Sequence, residues 1–344
     1  MFLRRNAQRA FMEISRRLPA LAVAAGLALA VTRALAEPVP QSTSPAPSAT
    51  TQPTDVPQTI VSPLGKTMSL KFHDEFDPVI DKDGKPYIDR SKWQTTFWQG
   101  SSQRTLWANG EAQYYVDKDY AGNWKLPGER MNPFSFETPG VLTISAWRVP
   151  QELWKKYYMG KERCFASGLL ISDKRFTFQY GYVEGRFKLP GDRGAWPAFW
   201  LLGDDPSKAK PDLQHEWGPE VDIFEFFGHR PTKHSAGIIG RKGEKLDWHF
   251  GYDDVGYDIS KDFHTWAMEW NQEKVVLLFD GKIWAHAKTV ESLRRPMYLL
   301  LNLAVGGNWY MQEMKAAGNP YHQWDVDEST MPWKMQCDFV RVYQ

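Results

Sequence analysis

Cysteine is scarce in this chain of 344 residues, which holds two, Cys164 and Cys337. Two cysteines cannot staple a disulfide scaffold, and their spacing fits no zinc ribbon or finger. An excess of charge of either sign is also missing. Lys and Arg number 42 against 41 Asp and Glu, a formal net charge of +1. That balance excludes a broad basic surface for nucleic acid. Long helical periodicities are scarce, the one short candidate being residues 151–158. No repeat recurs at solenoid or propeller spacing. Beyond the N-terminus no segment is long and apolar enough to span a bilayer. At 42% hydrophobic and 24% charged residues, the chain has ordinary globular usage, and wholesale disorder is excluded.

The N-terminus has its own chemistry. Arg4, Arg5, Arg9, Arg16 and Arg17 precede an apolar run over 18–31. The run is too short to span a membrane comfortably and ends at Ala34-Leu35-Ala36, a small-x-small cleavage pattern. Residues 1–36 therefore read as a signal peptide, and the mature protein is expected outside the cytoplasm, extracellular or in the periplasm and cell envelope. Removing 1–36 leaves a small net negative charge. Residues 37–63 are rich in Pro, Ser, Thr and Gln without apolar periodicity, the composition of an extended linker. The folded domain is expected over 64–344, without a membrane span and as a monomer.

Aromatic residues are what the chain has in plenty: 16 Trp, 14 Tyr and 19 Phe. They suit sheets and flat ligands that stack. Strand signals recur between turn residues. Residues 141–146 follow Pro139-Gly140. Residues 182–189 alternate, with Val183, Gly185, Phe187 and Leu189 on one side and Glu184, Arg186 and Lys188 on the other. Residues 274–279 lead into Asp280-Gly281 and a second short strand, a two-residue hairpin pattern. Residues 297–305 are nearly all apolar, as in a strand buried on both faces. Residues 338–343 alternate again. Many short strands with Gly and Pro turns predict an all-β sandwich or barrel.

The segment richest in chemistry is Glu220-Val221-Asp222-Ile223-Phe224-Glu225-Phe226. Three acids interrupt an apolar, strand-like run. Side chains alternate along a strand, so Glu220 and Asp222 share a face. A regular strand would turn Glu225 the other way. One extra residue around Ile223-Phe224, a β-bulge, would bring it back. Anions clustered against apolar neighbours must be partly protonated or paired, and they titrate together. A retaining glycosidase needs such a set, with one carboxylate that attacks and one acid that protonates the leaving group, about 5–5.5 Å apart. A salt-bridged or solvated strand face has the same spacing, and the segment alone does not choose between them.

The wider chain resembles a known family. Glu220-Val221-Asp222-Ile223-Phe224-Glu225 is similar to the E-x-D-x-x-E signature of glycoside hydrolase family 16. Asp74-Glu75-Phe76 resembles the family's opening motif, and Trp107-x-Asn109-x-Glu111-x-Gln113-Tyr114-Tyr115 resembles a later one. Ser167-Gly168 with Tyr180-Gly181-x-x-Glu184-x-Arg186 resembles its strand pair. Trp196-Pro197-Ala198-Phe199-Trp200-Leu201-Leu202 is a very close match. Phe263-His264-Thr265-Trp266, the stretch from Asn302 to Trp309 and the C-terminal strand complete the series. The resemblance implies a β-jelly-roll sandwich of two curved antiparallel sheets with a concave substrate cleft. It implies Glu220 as nucleophile, Asp222 as its tuning partner and Glu225 as general acid and base. The longer spacing resembles the laminarinase branch and departs from the E-x-D-x-E of lichenases.

By the same resemblance Trp196, Trp200, Trp107, Asn109, Arg186 and His234 would contact sugar, with core packing or an ion pair as the competing accounts. The implied activity is endo-acting hydrolysis of β-1,3- or mixed β-1,3/1,4-glucan. The alternatives are an exopolysaccharide depolymerase, a transglycosylase and a catalytically silent carbohydrate-binding protein. No cofactor is required for such catalysis, and the family allows a structural calcium near an acid such as Asp338. His215-Glu216 lacks the second His of a zinc protease motif, because position 219 is Pro. Asp325-Val326-Asp327-Glu328 lacks EF-hand spacing. Cys164 and Cys337 are allowed to pair in an exported protein, or to remain two buried thiols. Loops 123–136, 204–217 and 310–333 would shape the linkage preference.

Overall fold

Alternating and continuous apolar runs become strands almost throughout. The computed structural model describes residues 56–97, 103–203, 219–241, 243–248, 250–308 and 326–344, all within the unit Val56–Gln344. The signal peptide, most of the linker, the His215-Glu216 pair, loop 204–217 and residues 310–325 lie outside the described residues.

In chain order the strands are β1 (Thr59–Val61), β2 (Thr67–Asp74), β3 (Val79–Ile80), β4 (Pro86–Tyr87), β5 (Gln113–Tyr115), β6 (Phe134–Thr138) and β7 (Val141–Arg148). There follow β8 (Phe165–Ser167), β9 (Leu169–Ile171), β10 (Gly181–Lys188), β11 (Ala195–Gly203), β12 (Glu220–Phe226) and β13 (Lys233–Ile239). The last are β14 (Phe250–Asp254), β15 (His264–Trp270), β16 (Lys274–Phe279), β17 (Lys282–Lys288), β18 (Met297–Val305) and β19 (Trp333–Tyr343). One sheet has six strands in the order β14-β13-β12-β11-β18-β9, and a larger one runs β17-β16-β15-β10-β19-β7-β8-β5 with β1, β2 and β6 attached. Within the six-stranded sheet every pairing is antiparallel. Together they make the β-jelly-roll sandwich.

Side-chain parity sorts the six-stranded sheet. From β11, Ala195, Phe199 and Leu201 enter the core between the sheets, where they join Val183 and Phe187 of β10 and Trp266 and Met268 of β15. The alternate residues Ala198, Trp200 and Leu202 join Tyr298 and Leu300 of β18 and Phe97, Leu106 and Tyr115 in a second apolar cluster. The sheet is thus covered on both faces there, and every residue of β18 is buried. That is why residues 297–305 read as one apolar run. At the hairpin after β16, Asp280 and Gly281 have φ of 45° and 75°, the paired positive values a two-residue type I′ turn requires.

Two expectations need adjustment, and for the cysteines one of the two open alternatives holds. Residues 151–158 form only a 3-10 turn at Gln151–Leu153. The Trp154 indole reaches back to the Val149 carbonyl (2.8 Å), and Tyr158 turns to a φ of 57°, so no helix continues. The sheet begins before Leu64, since β1 pairs with β2. Cys164 and Cys337 are buried free thiols. Cys337 lies opposite Leu142 at one end of β7, whereas the Cys164 carbonyl accepts from Val149 beyond the other end. Seven residues of strand at about 3.3 Å each keep them apart.

Candidate active site

Two strand features set up the site. The first is a bulge in β12. Across to β11, Trp200 pairs with Asp222 and Phe199 with Phe224, so Ile223 has no partner. Across to β13, Asp222 pairs with Gly237 and Glu225 with Ser235, so two residues of β12 face one. Ile223 and Phe224 both enter the core. Glu225 returns to the face of Glu220 and Asp222, as the spacing of the acids required.

The second feature is the parity of β11. Trp196 and Trp200 project on the face that carries the acids. The Trp196 indole N–H donates to Glu225 Oε1 (2.9 Å), and the Trp200 indole N–H donates to Asn302 Oδ1 (2.8 Å) on β18. An open cleft results, lined by Trp196, Trp200, Glu220, Asp222, Glu225 and Asn302 from the sheet and by Asn109 and Glu111 from the segment before β5.

The segment before β5 is held down by backbone approach. A 3-10 turn at Trp107–Asn109 ends on Gly110, whose φ is 64°. Opposite it, Gly307 has a φ of 109°, and a Cβ there would stand 2.9 Å from the Trp196 ring and 3.1 Å from the Asn109 carbonyl. Only glycine allows that conformation and that contact together.

Burial and charge act on the acids. Glu220 and Asp222 are buried, and Glu225 is half-buried. Burial, then the charges of Glu220 and Glu225, push Asp222 well above the usual carboxylate range, and its side chain hydrogen-bonds Glu220. A protonated Asp222 is the donor in that bond.

A fourth acid, Glu111, was not singled out by sequence reasoning beyond its place in the motif. It is 2% exposed. Glu111 accepts from Asn109 Nδ2 (3.1 Å), Gln113 Nε2 (2.7 Å) and the Leu106 N–H (3.4 Å). Burial outweighs these donors and raises its pKa to about 7. Gln113 in turn accepts from the Val305 N–H, and Asn302 Nδ2 donates to Tyr115. Glu111 thereby ties the Asn109 turn to β18 beneath the cleft. Its period-two spacing from Asn109 and Gln113 is the signal that could have found it.

Of the residues expected to contact sugar, Trp196, Trp200 and Asn109 line the cleft with the three acids. Trp107 stands beside it on the turn, exposed, with the Arg163 guanidinium 3.8 Å above its ring. Arg186 and His234 do not line it. Arg186 lies on β10 in the other sheet, where it pairs with Asp338 and stacks over Phe263 (4.8 Å). The ion pair that competed with sugar contact is thus the one that forms. His234 is paired with Phe226 across β12 and β13. Cross-strand partners share a face, and Phe226 faces the core. His234 is therefore packed among Phe279, Trp266 and Trp284, and burial lowers its pKa to about 4.

Among the described residues no group of three or more His, Cys, Asp or Glu is placed to hold a metal ion. The Arg186 guanidinium donates to Asp338 Oδ2.

Residues 151–325 match the family described as glycosyl hydrolases family 16. The chain belongs to glycosyl hydrolase family 16. Among its family relatives is the endo-1,3-1,4-beta-glycanase ExsH of Rhizobium meliloti (strain 1021), 33% identical over 278 residues, which cover 80% of this chain and 52% of that protein. The chain thus spans about half the length of the Rhizobium proteins it matches. A beta-glucanase of Rhodothermus marinus is 28% identical over 261 residues, 69% of this chain and 76% of that one. Among solved structures, the endo-beta-1,3-glucanase from Pyrococcus furiosus superposes with a TM-score of 0.60 at 26% identity, covering 84% of this chain and 98% of that one.

Proposed function

We propose that this chain is an exported, retaining endo-β-glycanase acting on β-1,3- or mixed β-1,3/1,4-linked glucan. One observation carries the reading: the β12 bulge gathers Glu220, Asp222 and Glu225 on one cleft face, with Asp222 hydrogen-bonded to Glu220. The substrate class follows the names of the relatives, an endo-1,3-1,4-beta-glycanase and a beta-glucanase. Export rests on the arginine-flanked apolar run and Ala34-Leu35-Ala36.

In this mechanism the Glu220 carboxylate attacks the anomeric carbon. Glu225, as the acid, gives its proton to the departing glycosidic oxygen. The bond between the anomeric carbon and that oxygen breaks as a glycosyl ester on Glu220 forms. Glu225, now a carboxylate, takes a proton from water. The water oxygen attacks the anomeric carbon and releases Glu220. Two inversions retain the configuration. Asp222 keeps its own proton and donates a hydrogen bond to Glu220, which orients the nucleophile and leaves it ionised. Trp196 fixes the rotamer of Glu225 through its indole N–H. Trp196 and Trp200 offer apolar ring surface to pyranose C–H faces.

The test is release of reducing ends from laminarin, mixed-linkage glucan, agarose, carrageenan, xyloglucan and an acidic bacterial exopolysaccharide. Glu220→Gln should lower turnover by more than about 10³-fold with the fold intact, and Asp222→Asn should retain an intermediate rate. Retained wild-type turnover in Glu220→Gln would remove it as the nucleophile. Binding of glucan without product from the wild type would point to the silent carbohydrate-binding reading.

A further inference from the structure

Arg163 has no role in the mechanism above, yet it stands at the cleft's edge in an unusual setting. It sits at the end of a tight turn closed by reciprocal backbone hydrogen bonds with Gly160 (2.9 and 3.1 Å), just before β8. Its guanidinium lies 3.8 Å over the ring of Trp107. The Arg163 side chain is only 14% exposed, and its one ion-pair contact among the described residues is Glu162, at 4.0 Å and itself 76% exposed. Its Nε is buried with no hydrogen-bond partner among the described residues. An exposed acid at that distance contributes little. A guanidinium held this far from water is normally matched by a carboxylate or phosphate in its fork.

Trp107 is the other half of the feature. It is 56% exposed although it is large and aromatic. Tyr114 meets it edge-on at 6.1 Å. The three-residue turn that presents Trp107 also places Asn109 in the cleft. Glu111 lies within electrostatic reach of Arg163. The cleft carries four carboxylic side chains, Glu111, Glu220, Asp222 and Glu225. Glu220 is the one of them that the mechanism needs ionised, and a cation fixed beside the cleft offsets its repulsion of an acidic sugar.

We propose that Trp107 and Arg163 form an outlying subsite for a sugar residue bearing an acidic substituent, with Trp107 as the apolar platform and Arg163 as the counter-charge. The inference rests on the cleft being a glycan site, and it narrows the substrate to an acidic β-glycan. A packing role for Arg163, as a staple over Trp107, makes a different forecast. The staple would serve neutral and acidic chains alike.

The experiment compares a neutral β-1,3/1,4-glucan with the same polymer sparsely carboxymethylated. Arg163→Gln and Arg163→Met are measured beside the wild type, the Met variant keeping an apolar stem over Trp107. Loss of one charge-assisted contact should raise KM on the carboxymethylated polymer about tenfold. The kcat on both polymers and the KM on the neutral one should stay unchanged. Arg163→Lys should restore part of the acidic preference. An equal rise in KM on both polymers, or no change on either, overturns the proposal. If the wild type cleaves neither polymer, the proposed activity fails while the subsite is still read by calorimetry with neutral and carboxylated gluco-oligosaccharides. A preference for the carboxylated ligand that is lost in Arg163→Gln sustains the subsite. Equal affinity for both ligands removes it.

Discussion

Glu111 is buried as completely as the apolar residues around it, and it accepts hydrogen bonds from Asn109, Gln113 and the Leu106 backbone. Burial is the larger effect, and the pKa rises from 4.5 to about 7. Between those values the folded protein holds a proton that the unfolded chain has released. The stabilisation is full below pH 4.5 and is lost as pH rises through 7. Its size is about 3 kcal/mol. Glu111→Gln should therefore remove a decline in thermal midpoint that the wild type shows between about pH 5 and 8. A scan in which both proteins decline in parallel would mean that Glu111 does not titrate there. The three acids of β12 were legible because their spacing forced a structural consequence. Glu111 carried a weaker signal, because its period-two spacing from Asn109 and Gln113 allows a buried network without forcing one. Arg186 was misread for a related reason. Its side of β10 was known, but not that Asp338 of β19 lies within reach on the same surface.

At the scale of the element, β12 shows how much a strand pattern can say. The acids alone implied the bulge, and the pairings with β11 and β13 place it at Ile223-Phe224. Register with neighbouring strands was not legible. His234 illustrates the gap. It faces the core because it pairs with Phe226, and no local feature of residues 233–239 announces that partner. The bulge also makes a sharp forecast. Two core side chains, Ile223 and Phe224, occupy the interval where a regular strand would supply one. Deleting Ile223 converts the spacing to E-x-D-x-E, which in a regular strand again puts all three acids on one face. The deletion should keep measurable turnover while lowering stability by about 2–5 kcal/mol, the usual cost of a lost core aliphatic side chain. Denaturant unfolding and reducing-end release on the same protein check both halves. A stable protein without turnover would show that the bulge itself positions Glu225.

Across the whole molecule, short alternating strands between Gly and Pro turns pointed to a sandwich or barrel, and the family resemblance alone pointed to a concave cleft. The limits of the fold do not. Composition put the start of the domain at Leu64, because Pro and Ser dominate before it. The sheet starts at Thr59, and the reason lies two hundred residues away in β15. Glu269 there is 1% exposed. Ser62 Oγ and the Leu64 N–H each donate to its carboxylate at 2.9 Å. Met68 and Tyr182 belong to the apolar cluster that Ile60 and Leu64 cover. A polar segment can be part of a fold when it supplies hydrogen-bond donors to a buried carboxyl group. A protein starting at Leu64 would lose the Ser62 hydroxyl, the β1–β2 pairing and the cover of Ile60. Each hydrogen bond to a buried charge contributes about 1.5–3 kcal/mol. The shortened protein should therefore unfold at lower denaturant than one starting at Val56, by at least about 2 kcal/mol. Glu269→Gln in the shorter protein should recover little of that loss, since a neutral amide at this site still needs its partners. Equal stability of the two lengths would place the true edge of the domain where composition alone put it.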